Sequence, residues 1–196
     1  MSSVIRRSCN RAARSLPTTL VVVFACLGIL SRAGAAERSP ALAPASAFIQ
    51  AGYGDQRTNA FITGLTWYLP WRFDFHVGTL AVYAEGSIGR WHAEGRPGGA
   101  TTWPTQLGAT PVVRLFPSFA RHWFAEIGVG ANYIVPLFKT GEKRFSTEFN
   151  FGDHFAIGRR IGASEISIRI EHFSNAGIDH PNPGENFLQI RYAHAL

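Results

Sequence analysis

The stretch WFAEIGVGANYIV, residues 123–135, decides the class of fold. Its odd positions, Trp123, Ala125, Ile127, Val129, Ala131 and Tyr133, are apolar, while the even ones include Glu126, Gly128, Gly130 and Asn132. A period of two puts these sets on opposite faces of a β-strand, and a 3.6-residue helical repeat would scramble them. One face is apolar and the other polar or small.

The same split recurs along the chain. Leu107, Ala109, Val113 and Leu115 oppose Gln106, Gly108, Thr110 and Arg114, and Phe149, Phe151, Phe155 and Ile157 oppose Glu148, Asn150 and His154. Phe73, Phe75, Val77, Ala81 and Tyr83 read as one face against Asp74, His76 and Gly78, and Leu188, Ile190 and Tyr192 oppose Gln189 and Arg191. The alternating runs predict about eight strands, at 47–54, 58–69, 72–91, 104–116, 122–135, 147–160, 163–174 and 186–196. Eight is the smallest common number for a closed transmembrane barrel. Short turns fit at GDQR (54–57), LPWR (69–72), FPSFAR (116–121) and RRIGAS (159–164). Longer connections at 92–103, 136–146 and 175–185 put loops at one end of the barrel and tight turns at the other.

A soluble sandwich or lipocalin-like barrel alternates equally well. The aromatics favour the membrane: Trp67, Phe73, Tyr83, Trp91, Trp103, Trp123 and Tyr133 fall toward strand ends, where interfacial girdles sit. The expected fold is therefore all-β, an eight-stranded antiparallel outer-membrane barrel. Inward Glu126, Arg114, Arg169 and Arg191 fill its narrow lumen, because eight strands leave room only for side chains. The final Leu196 departs from the aromatic end usual in such barrels, although Tyr192 shares its parity.

Residues 1–35 read as a secretory signal: Arg6, Arg7, Arg11 and Arg14 precede an apolar run from Leu20 to Leu30, and small Ala33 and Ala35 follow. Residues 36–196 form the expected single domain. Five of the 19 basic residues lie in the signal, which holds no acid, so the formal charge of +6 leaves the remainder close to neutral. Nucleic-acid binding has no basic surface to rest on. Cys9 and Cys26 also fall in the signal, leaving the rest without a thiol for disulfides, zinc sites or nucleophilic catalysis.

One strand runs into unusual chemistry. In SEISIRIEHFSNAGIDHPNPGENF, residues 164–187, Ile166, Ile168 and Ile170 share a parity with His172 and Ser174. Two residues apart on one face, His172 and Ser174 lie about 6.5–7 Å apart along the strand, close enough for the side chains to lean together. Serine hydrolysis needs a nucleophile, an imidazole base, an acid to orient it and donors for the oxyanion. Asn175 offers an amide donor, Gly177 lets the backbone turn an N–H toward the same place, and Pro181, Pro183 and Gly184 restrict where Glu185 can sit. Glu171 is adjacent to His172 and so faces the other way. Pairings of Asp153 with His154, Asp74 with His76 and Asp179 with His180 lack dense metal-ligand spacing, and no metal or other cofactor is expected.

EHFSNAGIDHPNPGENF, followed by one last strand, resembles the signature of the lipid A 3-O-deacylase (PagL) family of Gram-negative outer membranes. The resemblance implies hydrolysis of the ester-linked 3-O acyl chain of lipid A without a metal. It implies His172 as base, Ser174 as nucleophile, and Asn175 with Gly177 as oxyanion donors. Counted from Ser174 without a gap, the family's acid falls on Asn186; a one-residue shift within NPGEN restores Glu185, the acid expected here. The implied partner is lipopolysaccharide, with a homodimer left open. Another outer-membrane esterase or phospholipase, and a non-catalytic barrel, remain the alternatives.

Overall fold

The computed structural model describes residues 43–95 and 101–196; the signal segment read at 1–35 lies outside them. Eight strands follow one another: β1 (Ser46–Gly54), β2 (Asn59–Phe75), β3 (Gly78–His92), β4 (Thr105–Pro117), β5 (Trp123–Val135), β6 (Phe149–Ile161), β7 (Ser164–Ser174) and β8 (Glu185–Ala195). Each pairs antiparallel with the next, and β1 pairs with β8 from Ser46↔Ala195 to Gly54↔Phe187, so the sheet closes as a barrel. Closure satisfies the backbone groups that an open edge would leave exposed in hydrocarbon.

The alternation sets the two surfaces. Ile127, Phe155, Ile157, Ile166, Ile168, Ile170, Leu188 and Ile190 stand exposed on the outer wall. The lumen holds charges instead: Arg114 reaches Glu126 at 2.7 Å, Arg191 reaches Glu85 at 2.8 Å, and Arg169 touches both carboxylates at 3.1 Å. Tyr83 donates to Glu126 at 2.7 Å. Removing one member of such a buried set leaves an uncompensated charge, at a cost of about 3–5 kcal/mol.

Toward the long-loop end the interior turns aromatic. Trp91 contacts Phe138, Phe173 and Phe187 with ring centroids 5.4, 4.9 and 4.8 Å away, and its indole N–H donates to Gln106 at 2.9 Å. Phe138 and Phe145 come from the β5–β6 loop, which folds back into the barrel mouth.

Several expectations change. The chain does not turn at LPWR; β2 continues to Phe75 through a bulge between Tyr68 and Arg72, where Pro70, lacking an N–H, needs no ladder partner. The turn falls instead between Phe75 and Gly78, so Phe73 and Phe75 point outward while Ala81 and Tyr83 point inward, and 73–83 is not one face. Tyr83 and Trp91 are therefore lumen residues and no part of a girdle, whereas Phe73, Trp103, Trp123 and Tyr133 are exposed as an interfacial belt requires. The turns at 76–77, 118–122 and 162–163 share one end with both termini of the barrel; the connections at 55–58, 93–104, 136–148 and 175–184 share the other.

Candidate active site

The isoleucine face of β7 carries His172 and Ser174 outward to the long-loop rim, as alternation requires, while Glu171 and Phe173 point inward. Phe173 and Phe187, the register partner of Glu171, pack in the aromatic plug, which anchors the ends of β7 and β8 from inside. The catalytic-type side chains thus stand on a rigid, two-sided support.

His172 pairs in register with Asn186 on β8, and the imidazole Nδ1 lies 2.7 Å from Asn186 Oδ1. The other end of that amide lies 3.2 Å from Asp55 Oδ2, in the turn after β1. A carboxylate only accepts, so Nδ2 must face Asp55 and Oδ1 must face the ring. His172 Nδ1 therefore donates to Oδ1, leaving Nε2 outside this bond. A neutral amide in this orienting position has a counterpart in Cys-His-Asn proteases.

Glu185 is not the partner of His172. It begins β8 one residue before Asn186, which turns it to the inner face; it is fully buried, 3.0 Å from Lys143 Nζ. A shift of one residue would have exchanged the two, but β8 keeps its register with β7 through His172↔Asn186 and Phe173↔Glu185. Lys143 also reaches Asp55 at 2.8 Å. The hydrogen bond from Lys143 holds the Asp55 carboxyl below its usual pKa; partial burial opposes this, and the hydrogen bond from Asn186 adds to it. Burial pulls the Lys143 ammonium down, yet its hydrogen bonds to Asp55 and Glu185 outweigh this and raise its pKa.

The expected oxyanion donors are engaged elsewhere. Asn175 is buried; its Nδ2 donates to Ser146 Oγ and to the Asp179 carbonyl, both at 2.9 Å, and its Oδ1 accepts from Gly177 N–H at 2.9 Å. Both amide hydrogens are spent inside the loop. Asn175 organises the turn after Ser174, with Ala176 and Gly177 at φ 53 and 78°.

Sequence reasoning missed Asp55, Lys143 and Asp153. Asp153 on β6 is the register partner of His172 on its other side and is half-buried, which puts the two β-carbons about 4.5–5.5 Å apart. A signal for it was present: Asp153 interrupts the apolar parity of Phe149, Phe151, Phe155 and Ile157. Its chain neighbour His154 faces the lumen, so the two share no metal site. Asp55 gave no such signal, since it meets Asn186 across 131 residues of chain, only because β1 closes on β8.

The family model for lipid A 3-O-deacylase (PagL) matches residues 60–195, which include His172, Ser174 and Asn186. The chain belongs to the lipid A 3-O-deacylase (PagL) family. A relative in that family, the lipid A deacylase PagL of Bordetella bronchiseptica (strain ATCC BAA-588 / NCTC 13252 / RB50), is 32% identical over 124 residues, covering 63% of this chain and 67% of the relative. The crystal structure of the outer membrane enzyme PagL superposes with a TM-score of 0.68 at 22% identity, over 78% of this chain and all of that one. A de novo designed transmembrane β-barrel reaches a TM-score of 0.50 at 10% identity, over 82% of this chain and all of the design. That likeness reflects barrel architecture, whereas membership in the PagL family rests on sequence.

Proposed function

We propose that this protein is an outer-membrane esterase that removes the 3-O acyl chain of lipid A, with Ser174 as nucleophile and His172 as base. Family membership supports the substrate class and the membrane. The observation that carries the chemistry is the outward pair His172 and Ser174, with Nδ1 of the ring committed to Asn186. Nε2 takes the Ser174 proton as Oγ attacks the ester carbonyl. The tetrahedral intermediate then expels the sugar 3-oxygen, which leaves with that proton, and an acyl-serine remains. Water, deprotonated by the same nitrogen, attacks the acyl-serine, releasing fatty acid and restoring Ser174. The developing oxyanion is met when Gly177 N–H exchanges Asn175 Oδ1 for a charged and stronger acceptor. Before attack, Asn175 Oδ1 holds that N–H in place from within the loop.

The outer wall supports the placement of a lipid chain. An open hollow of about 470 Å³ lies on β3–β6, with small Gly86, Ala109 and Ala131 between Leu107, Tyr133 and Phe149. It lies in one register row with the nucleophile: Ser174↔Phe151, Phe151↔Ala131, Ala131↔Ala109 and Ala109↔Gly86. At about 4.8 Å per strand, the row reaches Ala131 about 10 Å and Gly86 about 19 Å from Ser174. It also descends, since Ser174 ends β7 while Gly86 lies well inside β3. An acyl chain esterified at the rim can therefore keep its tail along the wall, in hydrocarbon.

The test is mass spectrometry of lipid A from a lipopolysaccharide-making host expressing the full chain. The expected product lacks one acyl group, at the 3-position. Unchanged lipid A together with newly formed lysophospholipid would replace this reading with a phospholipase.

A further inference from the structure

We infer that Asp55 supplies the negative charge of the catalytic unit, acting on His172 through the Asn186 amide as a positioning residue. This rests on the serine-esterase reading above. The three groups form one directed chain: His172 Nδ1 to Asn186 Oδ1 at 2.7 Å, and Asn186 Nδ2 to Asp55 Oδ2 at 3.2 Å. When His172 accepts the serine proton, the new charge is stabilised by whatever negative potential reaches Nδ1. A carboxylate at the Nδ2 end of the amide polarises it, adding negative charge to Oδ1, and hydrogen bonds in series strengthen one another in this way. Asn186 alone orients the ring; Asp55 gives the orientation its charge.

The surroundings of Asp55 suit a fixed charge. It sits in a tight turn in which Gly54 N–H donates to the Thr58 carbonyl at 2.7 Å and Thr58 N–H to the Asp55 carbonyl at 3.0 Å. Gln56 and Arg57 take left-handed conformations, with φ of 54 and 58°. Lys143 pins the carboxylate from the β5–β6 loop, held there by its own N–H to Thr140 Oγ1 at 2.9 Å and by Phe138 and Phe145 in the barrel mouth. Lys143 is shared between Asp55 and buried Glu185, 3.0 Å from the same ammonium, while the Asn186 amide meets Asp55 Oδ2 directly. Asp55 lies before the stretch that the family model matches.

Among the described residues, the charged groups facing His172 are Asp153 on β6, Asp55 in the β1–β2 turn and Lys143 behind it; β8 contributes neutral Asn186. Asp153 is the rival source of charge, and the variants separate them. Asp55→Asn in the refolded full-length barrel should lower kcat by about 10- to 100-fold, the scale on which groups that orient an imidazole from beyond its direct partner matter. KM should change little, and the acidic limb of the kcat/KM profile should move to lower pH, because an imidazole that loses a nearby negative charge gives up its proton more readily. Asp55→Asn combined with Asn186→Asp, which puts a carboxylate directly on Nδ1, should recover most of the rate. A purely structural role for Asp55 predicts no movement of the limb and no recovery. The inference is overturned if Asp55→Asn stays within about twofold of wild type, if its loss is not recovered by Asn186→Asp with the limb unmoved, or if Asp153→Asn alone shows the loss and the limb shift. The serine-esterase reading fails separately, through an active Ser174→Ala.

Discussion

Gly184 stands against the edge of the His172 imidazole: a β-carbon on Gly184 would lie 2.5 Å from Cε1 and 3.2 Å from Nε2. The residue also has a φ of +65°, which L side chains rarely adopt. The glycine of NPGEN therefore makes the last turn before β8 and leaves room for the imidazole. Gly184→Ala should push the ring away from Ser174. We expect kcat to fall by roughly 100-fold, the scale of a misplacement near 1 Å, with a modest loss of thermal stability. Kinetics and a melting curve on the same refolded sample check both. Near-normal kcat would mean that the ring tolerates the contact and that its position is not critical.

Glu185 and Asn186 differ by one residue and by the face they occupy. Asn186→Ala removes the acceptor of the Nδ1 proton and frees the ring to adopt the wrong tautomer, so kcat should drop by about 100-fold or more. Glu185→Gln leaves His172 untouched; its effect belongs to the Lys143 contact in the barrel mouth, with a loss of about 1–3 kcal/mol in stability and kcat close to wild type. Activity and denaturation measured in parallel should give opposite orders for the two variants. The reverse order would reinstate Glu185 as the triad acid.

The sequence made the barrel legible because its signal is local: strand, face and lumen all follow from parity, and Arg114, Glu126, Arg169 and Arg191 lie inside as that parity demands. The same rule put His172 and Ser174 outside and Glu171 inside. It erred where a local rule has two outcomes. Pro70 fits a turn or a bulge, and the choice of bulge shifted the next turn and sent Tyr83 and Trp91 inward. The orienting partner of His172 hung on a register of one residue, which NPGEN alone does not set and pairing with β7 does. Contacts made by closure, such as Asp55 with Asn186, leave no trace at the level of neighbouring residues.

The hollow on the outer wall gives a handle on chain length. Ala131→Phe would fill its centre without touching His172 or Ser174, two strands away. The ratio of kcat/KM for long-chain over short-chain esters should fall by about 10-fold or more, the discrimination that small steric changes in an apolar pocket achieve. Short-chain hydrolysis should remain close to wild type. An unchanged ratio would show that the acyl tail lies elsewhere on the wall.

Nucleophilic attack by Ser174 is the centre of this account, and one comparison reaches it directly. Wild-type and Ser174→Ala protein, both refolded in detergent and matched for strand content and heat-modifiable migration, are incubated with lipid A, and the products are weighed by mass spectrometry. Wild type should yield lipid A lighter by one 3-O acyl group, together with the free fatty acid. Ser174→Ala should leave the lipid unchanged, because nucleophile and base act as a unit and removing either abolishes the step. Release of the acyl chain by Ser174→Ala at a near-normal rate would contradict serine catalysis at this site.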